Sequence, residues 1–311
     1  MKRLVILLLT AALLLSLLAG CGASPVQETG KLNVVATIFP LYDWTKNLLG
    51  ARADEISLTL LLDDGVDMHS FQPSVSDMIT VSSCDLLIYV GGESDAWIED
   101  ALKERANPNM IALNLMDVLG ERVLEEELVE GMQGEAEDTP DEHIWLSLKN
   151  AQILCAAIRD ALIELDGANS SAYEASYAAY DEKLRQLDEA YAAAVAESAH
   201  HTLIVADRFP FRYLTADYDL DYYAAFSGCE AETEASFATV IFLAGKADEL
   251  GVKRLCVIET SDGKLARTVI ENTKRRDLGV LTLRSMQGAV DGGDYLSLMK
   301  ENLDVLKEAL N

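Results

Sequence analysis

Two histidines carry the chemistry that this sequence puts within reach. The chain has only four, so their surroundings are informative. His69 stands in Leu60-Leu61-Leu62-Asp63-Asp64-Gly65-Val66-Asp67-Met68-His69-Ser70-Phe71-Gln72, where an apolar run gives way to a polar loop and Pro73-Ser74 opens a helical pattern. His143 stands in Asp141-Glu142-His143-Ile144-Trp145-Leu146-Ser147, again in a polar approach to a helix. In open α/β sheets, ligands bind outside the carboxyl ends of the strands. A neutral imidazole placed there is a ready ligand for a metal ion. The two histidines are therefore expected to bind one divalent ion between two lobes.

The elements that must position them alternate. Leu32–Ile38, Ile56–Leu62, Asp85–Val90 and Met110–Leu115 are short apolar runs that read as buried strands. Pro40 stands where a helix starts, and Val75–Ser82 and Asp95–Arg105 carry helical patterning. After a helix at Asn150–Leu165 comes a longer one at Ala172–Glu197, rich in Ala, Glu, Leu and Tyr with no Gly or Pro inside, which makes it stiff. The alternation then resumes, with strands at Thr202–Ala206, Leu220–Ala225, Arg254–Ile258 and Val280–Leu283, and helices at Ser236–Leu250, Ser261–Arg275 and Tyr295–Leu310. The expected fold class is α/β: two lobes, each a mainly parallel sheet flanked by helices, joined by one long helix. The expected boundaries are a signal over residues 1–20, a tether over 21–31, a first lobe over 32–166, a linking helix over 167–199 and a second lobe over 200–311. Lobes joined in this way are expected to move little.

At 311 residues the chain has length for two cores. Its net charge of −27 becomes −29 once residues 1–20, whose only charges are Lys2 and Arg3, are removed. Such a field repels phosphate backbones and attracts cations, which argues against a nucleic-acid partner. Glu121–Glu142 is strongly acidic, holds Gly131, Gly134 and Pro140, and reads as a mobile solvated loop.

Cys84, Cys155 and Cys256 sit inside apolar patterns, where a small buried thiol is expected; Cys229 lies in a loop and has no evident role. Cys21 is different. Lys2 and Arg3 precede an uncharged run from Leu4 to Leu18, and Leu18-Ala19-Gly20-Cys21 closes it. That is an export signal, too short for a comfortable bilayer span. Its end looks like a bacterial lipobox, in which Cys21 is lipidated and becomes the mature N-terminus. The protein is then extracytoplasmic and lipid-anchored to the cell membrane.

These segments together resemble a family. Gly65 to Ser74, Cys84-Asp85-Leu86-Leu87-Ile88-Tyr89-Val90-Gly91-Gly92 with Trp97, and Asp141 to Ser147 are similar to the first lobe and second histidine motif of zinc/manganese ABC-transporter binding lipoproteins. Asp207-Arg208-Phe209-Pro210-Phe211-Arg212-Tyr213-Leu214 is similar to that family's third site segment, and Ile258-Glu259 to a later strand end. The resemblance runs from Asn33 to Leu310. It implies two α/β lobes bridged by a backbone helix, a divalent metal in the cleft, and an ABC permease as partner of a monomer.

The pattern departs from the family at two places. Arg208 stands where the family commonly has histidine or glutamate, and Leu283-Arg284-Ser285-Met286 where an aspartate is usual. Neither arginine can bind a cation, so Asp207 and Glu259, each just past a strand, are the expected substitutes. Each has another use: Asp207 could pair with Arg208 or Arg212, and Glu259 could cap the helix near Ser261. The arginines are expected to pair with and orient carboxylates. His69, His143, Asp207 and Glu259 would give two neutral imidazoles and two carboxylates, a set that balances Zn²⁺ and also admits Mn²⁺. His200 and His201 suit a helix end instead, and Glu93 and Asp95 a solvated turn.

A secreted metal-dependent hydrolase would need an open ligand position and a general base; no H-E-x-x-H or G-x-S-x-G motif is present. No enzyme activity is expected. A binder of a chelated metal or small organic ligand would need a large aromatic-lined pocket, and Tyr213, Tyr222 and Tyr223 keep that reading open.

Overall fold

The computed structural model describes residues 31–62, 66–134, 139–229, 234–287 and 293–311. The export signal over 1–20, Cys21 and the tether up to residue 30 lie outside the described residues. Among the described residues no helix is long and apolar enough to cross a membrane.

Two four-stranded sheets carry the fold. The first holds β1 (Asn33–Ala36), β2 (Ser57–Leu60), β3 (Leu86–Tyr89) and β4 (Ile111–Asn114) in the order β2-β1-β3-β4. The second holds β5 (Thr202–Phe209), β6 (Asp221–Ser227), β7 (Arg254–Ile258) and β8 (Gly279–Leu283) in the order β6-β5-β7-β8. Every pairing is parallel, and the two orders are the same once each sheet's first strand is aligned. Parallel strands are covered on both faces, which is why Leu86, Leu87 and Ile88 are all fully buried rather than alternating.

Helices fill the connections. The first lobe holds α1 (Phe39–Leu49), α2 (Val75–Ser83), α3 (Trp97–Lys103) and a short α4 (Leu115–Leu119) that the apolar pattern had not separated from β4. Asn114 creates it by accepting the amides of Met116 and Asp117 at 3.0 and 3.2 Å. Then come α5 (Leu148–Leu165) and the long α6 (Ser170–Ala196), whose 27 residues run about 40 Å. The second lobe adds α7 (Arg212–Asp217), α8 (Phe237–Leu250), α9 (Lys264–Asn272) and α10 (Tyr295–Ala309).

The buried residues of α6 are Tyr173, Tyr180, Leu184, Tyr191 and Val195, a stripe with heptad-like spacing. That stripe packs against α5, α1 and α10, so it touches elements from both halves of the chain. One continuous core runs from Val34 of β1 through Trp44 and Trp145 to Leu203, Cys256 and Tyr295. Trp44 and Tyr295 meet edge to face at 5.1 Å, and the Tyr295 hydroxyl donates to the Trp145 carbonyl at 2.7 Å. Separating the sheets would expose this shared core to water, at a cost that grows with the apolar area uncovered.

The acidic segment differs from its expected solvated, mobile form. Its described part is docked on the second lobe. Glu125 bridges to Pro140, and Gln133 bridges to Phe226 of β6. Glu127 meets Arg212 at 3.2 Å, and the Leu124 amide donates to the Tyr213 hydroxyl at 3.0 Å. Charge composition hid these contacts because the apolar residues that seat the segment, Leu124, Val129 and Met132, are spread thinly among the acids.

Candidate metal centre

His69 is held by a turn and by its ring. Asp67 accepts the His69 amide at 3.1 Å and so starts the single 3-10 turn Met68–Ser70. On the ring, Nδ1 lies 3.0 Å from the Ser94 hydroxyl and 3.5 Å from Glu142 Oε2. His143 is fully buried, with its backbone amide 2.8 Å and its ring Nδ1 3.0 Å from one oxygen of Asp141. A carboxylate behind the far ring nitrogen fixes orientation and raises ligand basicity. Gly228 closes the other side of that ring: a Cβ there would come within 2.9 Å of His143 Cε1 and 3.0 Å of the Phe209 carbonyl. Only glycine fits.

Both free ring nitrogens aim at one point. His69 Nε2 and His143 Nε2 are 3.2 Å apart. Two nitrogens on a tetrahedral zinc, each about 2.0–2.1 Å from the ion, stand roughly 3.3–3.4 Å apart. The pair fits that ion. Its members come 74 residues apart in sequence.

Two further side chains reach the same point, and neither was expected there. Cys229 presents its sulfur so that it and one ring nitrogen of each histidine all lie within 4.8 Å of one another. Gln287 places its side-chain amide 3.4 Å from His69 Nε2 and 3.1 Å from His143 Nε2. Each follows a strand of the second sheet, Cys229 after β6 and Gln287 after β8. The strand-end rule that drew attention to Asp207 would have found Cys229 as well. The apolar pattern ended that strand at Ala225, whereas it runs to Ser227 and leaves the cysteine only two residues beyond it.

The expected carboxylates sit apart from this cluster. Asp207 lies in a bulge of β5, where three steps from Val205 to Arg208 match two steps from Ala224 to Phe226 on β6. Its Oδ1 accepts the Arg208 amide at 2.9 Å. It lines a cavity of about 590 Å³ shared with His69, Asp67, Arg208 and Lys264. Glu259 uses both oxygens on the β8 loop: Oε2 accepts the Ser285 amide at 2.8 Å, and Oε1 the Ser285 hydroxyl and Met286 amide, each at 3.0 Å. Arg208 crosses to Asp67 at 2.8 Å, whereas Arg284 pairs at 2.8 Å with Glu301 on α10.

Burial dominates the electrostatics. It pushes His69 down to about 3, with the facing His143 adding to the effect, so the ring is neutral and free to bind an ion at physiological pH. Burial also raises Glu142 and the Cys229 thiol, the latter with Glu126 and Asp141 nearby. Burial would raise Asp67 too, but the Arg208 guanidinium and then His69, through its charge and its backbone amide, together outweigh it and the net shift is downward.

Asp95 is no solvated turn residue. It is buried, accepts the Gly91 amide at 3.0 Å and is raised to about 7 by burial and by Glu142. Glu93 is exposed, as a solvated turn requires. His200 and His201 lie at the opposite end of β5 from Asp207.

Tyr213 donates to the Asp141 carbonyl at 2.8 Å, and Tyr222 stacks on Phe209 at 3.7 Å. Neither they nor Tyr223 line the large cavity.

Comparison with known proteins places these features in context. The family described as zinc-uptake complex component A, periplasmic, matches residues 34–309. The high-affinity zinc uptake system protein ZnuA of Bacillus subtilis is 29% identical over 304 residues, covering 94% of each chain. The zinc-binding lipoprotein AdcA of Streptococcus pneumoniae is 29% identical over 307 residues. That match takes in 97% of this chain and 60% of the relative. The chain likewise spans only 57% of the length of the Streptococcus pyogenes zinc-binding proteins AdcA. Among solved structures, the Zn(II)-bound ZnuA-like domain of S. pneumoniae AdcA superimposes with a TM-score of 0.73 at 26% identity, covering 90% of this chain and 99% of that one. The metal-dependent lipoprotein YcdH of B. subtilis gives a TM-score of 0.74 at 26% identity with the same coverages.

Proposed function

The chain belongs to the zinc-uptake complex component A family, and from that premise we propose that it captures Zn²⁺ in the cleft between its sheets and hands it to an ABC permease. The family and fold are those of solute-binding proteins in zinc uptake, not of enzymes. The observation that carries the reading is the pair of Nε2 atoms 3.2 Å apart, each ring fixed from behind by oxygen partners. Such a pair is preorganised, so little ordering cost is left for the ion to offset.

The two acids of the second lobe take different tasks in this proposal. Asp207, re-aimed by the bulge into the cavity that His69 shares, is the carboxylate offered to the ion. Glu259 would serve as a ligand only by releasing three donors, so its place in the site is to seat the loop that carries Gln287. Mn²⁺ is the competing cargo, since affinity order alone does not set selectivity. A chelated-metal cargo has less support, because the cavity beside His69 has Phe226 as its aromatic residue and charged groups around it.

Outside the described residues, Leu18-Ala19-Gly20-Cys21 supports a lipid anchor on the outer face of the cell membrane. Cys21→Ala should then move the protein out of the membrane fraction. Isothermal titration of metal-stripped protein tests the function directly. One zinc ion per chain is expected, bound more tightly than Mn²⁺; a protein that takes up neither ion refutes the proposal.

A further inference from the structure

Two imidazoles leave a divalent ion short of ligands and of negative charge, and the second lobe offers a donor for both needs. Building on the metal-binding reading above, we propose that Cys229 is the third ligand, so that two histidine nitrogens and one thiolate sulfur hold the ion, with the Asp207 carboxylate left to fill the fourth position. The Cys229 donor atom is already grouped with those of His69 and His143 within 4.8 Å. A tetrahedral zinc with its Zn–S bond near 2.3 Å holds nitrogen and sulfur roughly 3.6 Å apart, so small side-chain adjustments close the site.

The position of Cys229 is built, not incidental. Its amide donates to Glu126 at 2.9 Å, which ties it to the acidic segment. The preceding Gly228 lies against the His143 ring, where a side chain would collide. Phe226, three residues earlier, is bridged to Gln133 of the same segment. Strand, segment and histidine ring thus fix the loop from three sides. By contrast Cys84, Cys155 and Cys256 are buried in the apolar core clusters.

The chemistry has two consequences. As the metal–sulfur bond forms, the thiol proton leaves to solvent, and the thiolate supplies one negative charge to the ion with no change of redox state. Sulfur is a soft ligand, favouring zinc, while manganese prefers oxygen. The ligand also comes from the second lobe and the histidines from the first sheet and the segment after it, so metal links the two.

Cobalt(II) titrated into the metal-stripped full chain reports sulfur ligation directly. A thiolate-to-cobalt charge-transfer band in the near ultraviolet is expected for the wild type and should vanish in Cys229→Ser. Zinc affinity of that variant should fall at least ~10-fold, about 1.4 kcal/mol, while manganese affinity changes far less. On the unmodified protein, zinc should protect Cys229 from iodoacetamide, a readout that needs no variant to fold. Cobalt or zinc bound with no band and no protection overturns the thiolate and leaves the histidine site standing. A wild type that binds neither ion removes both readings, and His69→Ala, expected to lose binding whichever third ligand is used, tests the histidine site independently of the thiolate.

Discussion

Arg208 reaches across the cleft to Asp67, its guanidinium 2.8 Å from a carboxylate that also starts the turn carrying His69. The residue that departs from the family pattern therefore supports the first histidine instead of binding the ion. Asp67→Ala removes both the turn-starting acceptor and the ion pair, whereas Asp67→Asn keeps the acceptor alone. Loss of such an acceptor costs about 1 kcal/mol, and a partly exposed pair up to about 1 kcal/mol. Zinc affinity, measured by titration, should rank wild type above Asp67→Asn above Asp67→Ala. Equal affinities would mean that the turn stands without Asp67.

The histidines should differ in what their loss does to the metal-free protein. His69 is partly exposed, while His143 is completely buried between Asp141, Trp145 and Gly228. A ligand that binds only the folded state stabilises it by about 2.7 kcal/mol at 100 times its dissociation constant. Thermal melts with and without zinc should show that gain in the wild type and neither variant should show it. His143→Ala should also lower the metal-free midpoint, by the equivalent of roughly 2 kcal/mol, because it empties a packed position and leaves Asp141 with the backbone amide alone of its two donors at residue 143. His69→Ala should lower it by much less.

Much of this arrangement could be read from the residues. The strands were legible because parallel sheets demand unbroken apolar runs, and Arg254–Ile258 coincides with β7. That His69 and His143 would converge was legible, because polar loops at strand and helix ends are where α/β folds keep their ligands. The side chains that meet them from the second sheet were not. Cys229 and Gln287 reach the histidines only through loops whose course depends on tertiary contacts, Glu126 holding one and Glu259 the other. Glu259 stands just past β7 as expected, whereas Asp207 falls inside β5, which runs on to Phe209; a one-residue bulge and three backbone and side-chain donors decide where their oxygens point. No pattern of residue types encodes those.

Asp207→Asn and Glu259→Gln should therefore fail in different ways. Among the described residues Asp207 makes one local hydrogen bond, which an amide oxygen can also accept, so its amide variant should melt with the wild type and bind zinc more weakly, by roughly 3- to 30-fold for the loss of one charge at the site. Glu259 anchors three donors, and hydrogen bonds to a charged group are worth about 1.5–3 kcal/mol each. Its glutamine variant should lose stability first, by about 2 kcal/mol, with a loss of zinc affinity that follows displacement of Gln287. Paired denaturant and titration curves check this. A Glu259→Gln protein with normal stability and abolished zinc binding would instead make Glu259 a ligand.

The pH dependence of the metal-free protein should carry the mark of Asp43. This carboxylate is buried on α1, where Oδ2 accepts the Tyr295 amide at 3.1 Å and so ties the first helix to the last. Burial raises its pKa from 3.8 to about 6; the Tyr295 amide works against the rise and Asp294 adds to it. Between those two values the folded state holds a proton that the unfolded chain has released. Its contribution to stability is thus fully present below about pH 3.8 and is lost as pH rises through about 6. A rise from 3.8 to about 6 corresponds to roughly 3 kcal/mol at most. Other acids titrate over the same range, so the informative quantity is the difference between wild type and Asp43→Asn. The amide stays neutral and still accepts from Tyr295. Relative to the wild type it should gain stability from about pH 4 to about pH 6 and level off above that in denaturant unfolding, and a constant difference from pH 4 to 6 would show that Asp43 is ionised in the native state throughout.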